Sequence, residues 1–289
     1  MSGLAVLLVL CAAVAHASWN LFVKRAGGGG VVFVAVYTAL EVVVYAPLAV
    51  IVAWLTAPAI GVAEVGFMAG SAALHTAYFV LLQRGYAVGD LSLVYPVARG
   101  LGPLIAILGA VALLGERPPL LALAGGVAVC VGVFWLGVVG SGTRLDGASS
   151  VPALGYAALT GVAIASYTLL DGQAMSSLAL SPVLFLWGSN LGRLALLGPV
   201  IWQRRADVQG VWRRHRREAV GVALLSPLAY VLILWAFTMA PVSYVAPARE
   251  FSIVIGTALG TVLLREGRGV QRLPAAALVV TGVALLALA

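Results

Sequence analysis

The chain has 289 residues, of which 62% are hydrophobic and only 9% charged, with a formal net charge of +7 and a mean hydropathy of +1.08. A soluble domain carries about 25% charged and 45–50% apolar residues, so this composition excludes one and indicates an integral membrane protein. In such a protein a basic excess reports sidedness rather than affinity for nucleic acid.

A spanning helix needs about 20 mostly apolar residues. Ten stretches qualify, at roughly 3–23, 31–55, 61–83, 91–115, 119–139, 152–174, 180–202, 218–239, 242–264 and 272–288. The first ends in "AHASWNLFVK". Ala15-His16-Ala17 has the form of a signal-peptide cleavage site, but Met1 to Val14 lacks the basic start that such a peptide needs, and the apolar run continues to Lys24-Arg25. A retained spanning helix is expected. Cys11 and Cys130 lie inside apolar runs and read as buried hydrophobes, not as a disulfide or a metal site. Two connections are longer than the rest. "GSGTRLDGASS" (140–150) reads as a flexible linker, and "RRADVQGVWRRHRRE" (204–218) as a strongly basic connection that fixes topology or meets anionic headgroups.

The odd-numbered connections hold thirteen Lys and Arg and the even-numbered ones only Arg117. The positive-inside rule then puts the odd connections in the cytoplasm and both termini outside. Arg99, Arg193 and Arg249 fall within spans.

"SLVYPVARGLGPLIAILGAVALLGER" (92–117) matches "SYVAPAREFSIVIGTALGTVLLREGR" (243–268) with one gap, pairing Pro96 with Pro247, Arg99 with Arg249 and Glu116 with Glu266. A weaker echo links "HASWNLFVK" to "IASYTLLDG" (164–172). The expected fold is therefore all-α and membrane-integral, with ten transmembrane helices as two inverted five-helix repeats. Residues 1–139 form the first repeat, 140–151 a linker and 152–289 the second. An odd number of helices per repeat makes the copies antiparallel in the membrane, a plan that holds substrate near the midplane between halves.

With "GDLSLVYPVARGLGP" in helix 4 and "LLGERP" at its end, the chain resembles the drug/metabolite transporter superfamily, and within it the EamA family of bacterial exporters and permeases. "HASWN" is similar to a branch associated by context with phosphonate use. The resemblance implies a cytoplasmic-membrane transporter with both termini in the cytoplasm. The charge count says the reverse, and we follow the count.

An ionisable group costs roughly 2.5–3.5 kcal/mol at the centre of a spanning helix by insertion scales, so each one in a span needs a reason. Arg99 and Arg249 occupy equivalent positions after Pro96 and Pro247, and Gly100, Gly102 and Pro103 further loosen helix 4. They read either as a clamp on an anionic substrate, which suits bidentate guanidinium geometry, or as structural partners of a glutamate. Glu250 adjoins Arg249, but neighbouring helical residues diverge by about 100° and need not pair. Glu250 and Glu41 are the candidate proton-coupling carboxylates, with a structural ion pair as the other reading. His16, Trp19 and Asn20 share a helix face that Lys24 extends, and His75 and Tyr78 repeat the pattern on helix 3. They read as pocket wall or as helix-packing groups. Tyr95 joins the candidate substrate contacts.

Other polar groups are less telling. Asn190 and Arg193 share a face and serve either a cavity or a helix end. Asp171, near the end of its span, reads as solvated or capping. Tyr230 and Trp235 read as core aromatics. Glu116 and Glu266 close helices 4 and 9 beside Arg117 and Arg265 or Arg268, and read as fixing helix ends or gating salt bridges.

No P-loop, G-x-S-G, facing intramembrane aspartate pair or H-E-x-x-H is present. Neither an enzyme nor a cofactor is expected. The expected function is secondary active transport of a small polar or anionic metabolite (amino acid, carboxylate or phosphate/phosphonate compound), driven by a proton gradient or exchange. A multidrug exporter of lipophilic cations is the alternative. The expected partners are the substrate and membrane lipids, with no nucleic acid.

Overall fold

The computed structural model describes residues 1–27, 30–88, 91–141, 150–263 and 269–289. The linker at 142–149 and the residues Glu266, Arg265 and Arg268 lie outside the described residues. Helices α1 (Gly3–Arg25), α2 (Gly30–Thr56), α3 (Val62–Val88), α4 (Leu91–Leu113), α5 (Leu120–Ser141), α6 (Ser150–Ser177) and α7 (Pro182–Gln203) are followed by α8 (Arg205–Phe237), α9 (Val242–Ala248), α10 (Phe251–Leu263) and α11 (Gly269–Leu288). Among the described residues nine helices are long and apolar enough to cross a membrane. The tenth crossing is shared by α9 and α10.

Local signals set the boundaries. The Ser2 hydroxyl accepts from the Ala5 amide at the start of α1. Ser181 caps α7 in the same way, with Pro182 at the first helical position, where its missing N–H costs nothing. The segment expected as a basic connection at 204–218 is instead helical. Arg and Gln are good helix formers, and the only break falls at His215 (φ −127°, ψ 23°). Val208, Val211 and His215 are half-buried at helical spacing while Arg213, Arg214, Arg216 and Arg217 stay exposed, so one face packs on the bundle and the other carries charge.

The ninth crossing breaks where sequence matching put Arg249. Pro247 lacks an amide, and the chain tightens after it. Glu250 N donates to Pro247 O at 3.0 Å, and Ser252 N to Arg249 O at 3.2 Å. These three-residue turns replace the α-helical ladder. Helix α4 holds both Pro96 and Pro103 yet runs unbroken.

The helix pairing has a two-fold pattern. Helix α1 packs on α8 as α3 packs on α6, and α2 packs on α8 as α3 packs on α7. The contact of α4 with α6 is echoed by that of α1 with α10. Helices α2 and α7 pack on each other, as do α5 and α11. Exchanging α1–α5 for α6–α11 carries each of these pairs onto another. At the α5–α11 contact a Cβ on Gly125 would lie 2.8 Å from Gly282 O, and one on Gly282 would lie 2.6 Å from Gly125 O. Only glycines permit that approach.

The interior is rich in Ala, while Trp54, Val62 and Leu120 are more than 80% exposed. Large apolar side chains facing outward around a small-residue interior are what a bilayer-embedded bundle requires.

Candidate functional site

A cavity with a volume of about 130 Å³ is walled by α1, α2, α3, α4, α6, α7, α8 and the end of α9. His16 and Trp19 enter from α1, Glu41 from α2, His75 and Tyr78 from α3, Arg99 from α4, and Arg249 from the break after α9. Seven of the residues singled out in the sequence thus meet in one space. Three do not line it. The Asn20 amide donates to the His16 carbonyl at 2.9 Å, within its own helix. Tyr95 stands behind Arg99, whose guanidinium carbon lies 5.9 Å from the ring centre. Glu250 is fully buried behind both arginines.

The two arginines are not free. Arg99 Nη2 is 2.9 Å from Glu250 Oε2, and Arg249 Nε is 3.4 Å from Glu250 Oε1. The helix-angle argument against an Arg249–Glu250 pair fails because the helix breaks at those two residues. Arg249 Nη2 also donates to Thr168 at 3.0 Å, and Arg99 Nη2 lies 3.5 Å from His16 Nε2. This Arg–Glu–Arg cluster joins α1, α4 and α6 to the break in the ninth crossing and carries a formal charge of +1. Both guanidiniums still reach the cavity wall.

A second ion pair crosses between α2 and α7. Arg193 Nη1 is 3.8 Å from Glu41 Oε2 and donates to Asn190 Oδ1 at 3.2 Å. All three residues line the cavity. The Trp187 indole ties the same helices by donating to Val42 O at 3.0 Å.

The remaining wall is aromatic. His75 stacks on Tyr167 with ring centres 4.0 Å apart and meets Tyr230 edge-on at 5.2 Å. Tyr78 lies edge-on to Tyr167 at 5.9 Å, and the Arg249 guanidinium lies 5.6 Å from the Tyr167 ring centre. Trp19 sits T-shaped on His16 at 4.9 Å. The site offers cations for an anionic group beside flat faces for a planar or apolar one.

Residues 151–288 match the EamA-like transporter family. The second half of the chain is EamA-like. One solved crystal structure of a protein shares the fold, with a TM-score of 0.78 at 18% identity, covering 100% of this chain and 98% of its own. No curated protein matches the chain. EamA-like proteins are membrane transporters or permeases of the drug/metabolite type, and this chain is accordingly a multi-pass membrane protein of the transporter class.

The EamA-like half holds the feature that sequence reasoning misplaced. Asp171 neither caps a helix nor meets solvent. It is fully buried because α6 runs on to Ser177, and it accepts a hydrogen bond from the Tyr230 hydroxyl. Tyr230 and Tyr167, read as a core aromatic and as a weak echo of Trp19, both line the cavity. Their signal was the i, i+4 spacing of Tyr167 and Asp171 on one face of α6. Glu116 fixes a helix end, but that of α9 rather than of the helix it follows. Its two carboxylate oxygens accept from the amides of Val242 at 2.7 Å and Ser243 at 2.9 Å, fixing the start of α9.

Proposed function

We propose that the chain is a secondary active transporter that moves a small polar or anionic metabolite, an amino acid, a carboxylate or a phosphate/phosphonate compound, across the cytoplasmic membrane by alternating access. The observation that carries this reading is the presence of Arg99 and Arg249 in the wall of one cavity, at matching positions in the two halves. The Arg99–Glu250–Arg249 cluster is one positive charge in excess, and a monoanion on the guanidiniums neutralises it. His16, Trp19, His75 and Tyr78 orient the ligand from α1 and α3, with Asn20 and Tyr95 bracing the first layer. Coupling to protons falls to the carboxyls of this interior, Glu250 and Glu41 among them.

The two-fold helix pairing supports division into inverted repeats at 1–139 and 152–289, joined through 140–151. Rocking one repeat on the other opens the cavity to each side in turn. The odd-numbered connections face the cytoplasm, as the basic residues require.

The test is thermal unfolding of the purified protein in detergent with a panel of amino acids, carboxylates, phosphorylated and phosphonate compounds, and lipophilic cations. A ligand that binds only the folded state stabilises it by mass action. Stabilisation by anions that disappears in both Arg99→Ala and Arg249→Ala supports the proposal. Stabilisation by lipophilic cations alone replaces it with a multidrug exporter.

A further inference from the structure

We infer that Asp171 takes up one proton when an anion binds at Arg99 and Arg249, so that anion and proton cross the membrane together. The inference rests on the anionic-substrate reading above and adds the coupling group and its stoichiometry.

Among the described residues the cavity and its immediate surround hold three guanidiniums, Arg99, Arg193 and Arg249, and three carboxyls, Glu41, Asp171 and Glu250. Guanidinium stays protonated in proteins. The empty site is therefore neutral when all three carboxyls are ionised. A bound monoanion adds a negative charge that a water-poor interior disfavours. Neutrality returns if one carboxyl gains a proton.

Geometry decides which carboxyl that is. A proton on Glu250 would break its contacts with Arg99 and Arg249. A proton on Glu41 would break its pair with Arg193. The Glu41 change leaves Arg193 without its counter-ion, a strongly unfavourable state, and with Glu250 protonated the bound anion alone would have to serve both Arg99 and Arg249 while Asp171 kept a buried charge with no cation in contact. Asp171 has no guanidinium within salt-bridge distance among the described residues, and the groups nearest its carboxyl are the Tyr230 and Ser71 hydroxyls. Protonating it breaks no ion pair.

Asp171 is also wired to the cavity. Tyr230 lines the cavity and donates its hydroxyl hydrogen to Asp171 Oδ2, which gives a proton a path from the cavity water. Arg249 supplies the coupling. Its Nη2 is bonded to Thr168, three residues before Asp171 on the same face of α6, so the guanidinium stands on the face that carries the carboxyl. An anion that neutralises Arg249 removes the field that favours the ionised carboxylate, and a proton takes its place.

The other titratable and charged groups around Asp171 are few. Helix α3 presents Ser71 and His75, with His75 Nδ1 2.9 Å from Ser71 O. Helix α6 adds Tyr167, α8 adds Tyr230, and the turn after α9 adds Arg249. Helix α4 brings Arg99, whose neighbours Ala98 and Leu101 pack at Gly161 of α6, nearly three turns before Asp171. His75 is the competing proton site.

The experiment measures binding of pyruvate and of methanesulfonate, neither of which titrates between about pH 6 and 9, to purified full-length protein as a function of pH. Proton uptake is read in parallel with a pH dye in weak buffer. The native protein is expected to take up about one proton per anion, and its Kd should rise about tenfold per pH unit above the midpoint. In Asp171→Asn the anion still binds, uptake vanishes and Kd is flat with pH to within about twofold. Tyr230→Phe, which keeps the carboxyl but removes its donor, retains the slope and shifts the midpoint. His75→Gln, measured at anion concentrations that saturate it, keeps uptake at about one proton per anion. If uptake survives in Asp171→Asn, disappears in His75→Gln, or keeps its midpoint in Tyr230→Phe, Asp171 is not the site. Binding without any uptake by the native protein overturns this inference and leaves the anion transporter standing. Failure of both anions to bind at any pH overturns the two together.

Discussion

Arg99 Nη2 lies 2.9 Å from Glu250 Oε2, and Glu250 is also 3.4 Å from Arg249. One fully buried carboxylate thus serves two guanidiniums that come from different halves of the chain. The arrangement makes the three residues unequal. Removing either arginine leaves Glu250 one partner, whereas removing Glu250 strands two buried cations. Losing one partner of a buried pair costs about 3–5 kcal/mol. Glu250→Ala should therefore be more destabilising than Arg99→Ala or Arg249→Ala, with the arginine variants toward the lower end of that range. Chemical or thermal unfolding in detergent gives the order, and the reverse order would show that the cluster is not shared as described.

Glu116 predicts a local effect. Its carboxylate accepts from two amides at the start of α9, and loss of a cap costs about 0.5–2 kcal/mol. Glu116→Ala should lower stability by about that amount and speed hydrogen exchange at Val242 and Ser243. Anion selectivity should be unchanged, because Glu116 stands outside the cavity wall. Unaltered exchange at those two amides would refute the capping role.

Two glycine positions offer a contrast. A Cβ on Gly137 would fall 1.9 Å from Cβ of Pro96, so Gly137→Ala forces α5 away from α4. Overpacking of this kind costs about 1–3 kcal/mol. Gly155 on α6 has nothing within 4 Å of its built Cβ, and alanine there should stabilise the helix by up to about 1 kcal/mol. Melting temperatures of the two variants should move in opposite directions.

Sidedness can be read by labelling. Gln209 is exposed on the basic segment of α8. In a Cys11→Ala, Cys130→Ala background, Gln209→Cys should resist a membrane-impermeant thiol reagent in intact cells and react in inside-out vesicles. Labelling in intact cells would place the arginine-rich segment outside and reverse the topology drawn from the charge count.

Much of the architecture is legible in the sequence because a bilayer permits few alternatives: ten apolar stretches qualify, and among the described residues nine helices are long and apolar enough to cross while α9 and α10 cover the remaining stretch. The matched Arg99 and Arg249 also point to the cavity wall, since a charged group in a span must have a structural or functional reason to be there. What was hidden depended on contacts between helices. Asp171 was misplaced because the apolar window ended at 174 while α6 continues to Ser177. The Arg249–Glu250 pair was discounted by helical periodicity that does not hold across the break. The 204–218 segment was taken for a connection because its charge masked the half-buried Val208, Val211 and His215, whose spacing is that of a packed helix face. Pro96 and Pro247 matched in sequence but differ in effect, as only the second is followed by a break.

The contact between Gly125 and Gly282 brings two main chains together where most helix pairs interpose side chains. Side chains in grooves act as teeth, and to turn such a joint each tooth must leave its groove. At this crossing the backbones meet directly, with Val129, Leu285 and Leu286 seated beside them. In the alternating-access proposal the α5–α11 contact is the joint that stays closed while the two halves tilt.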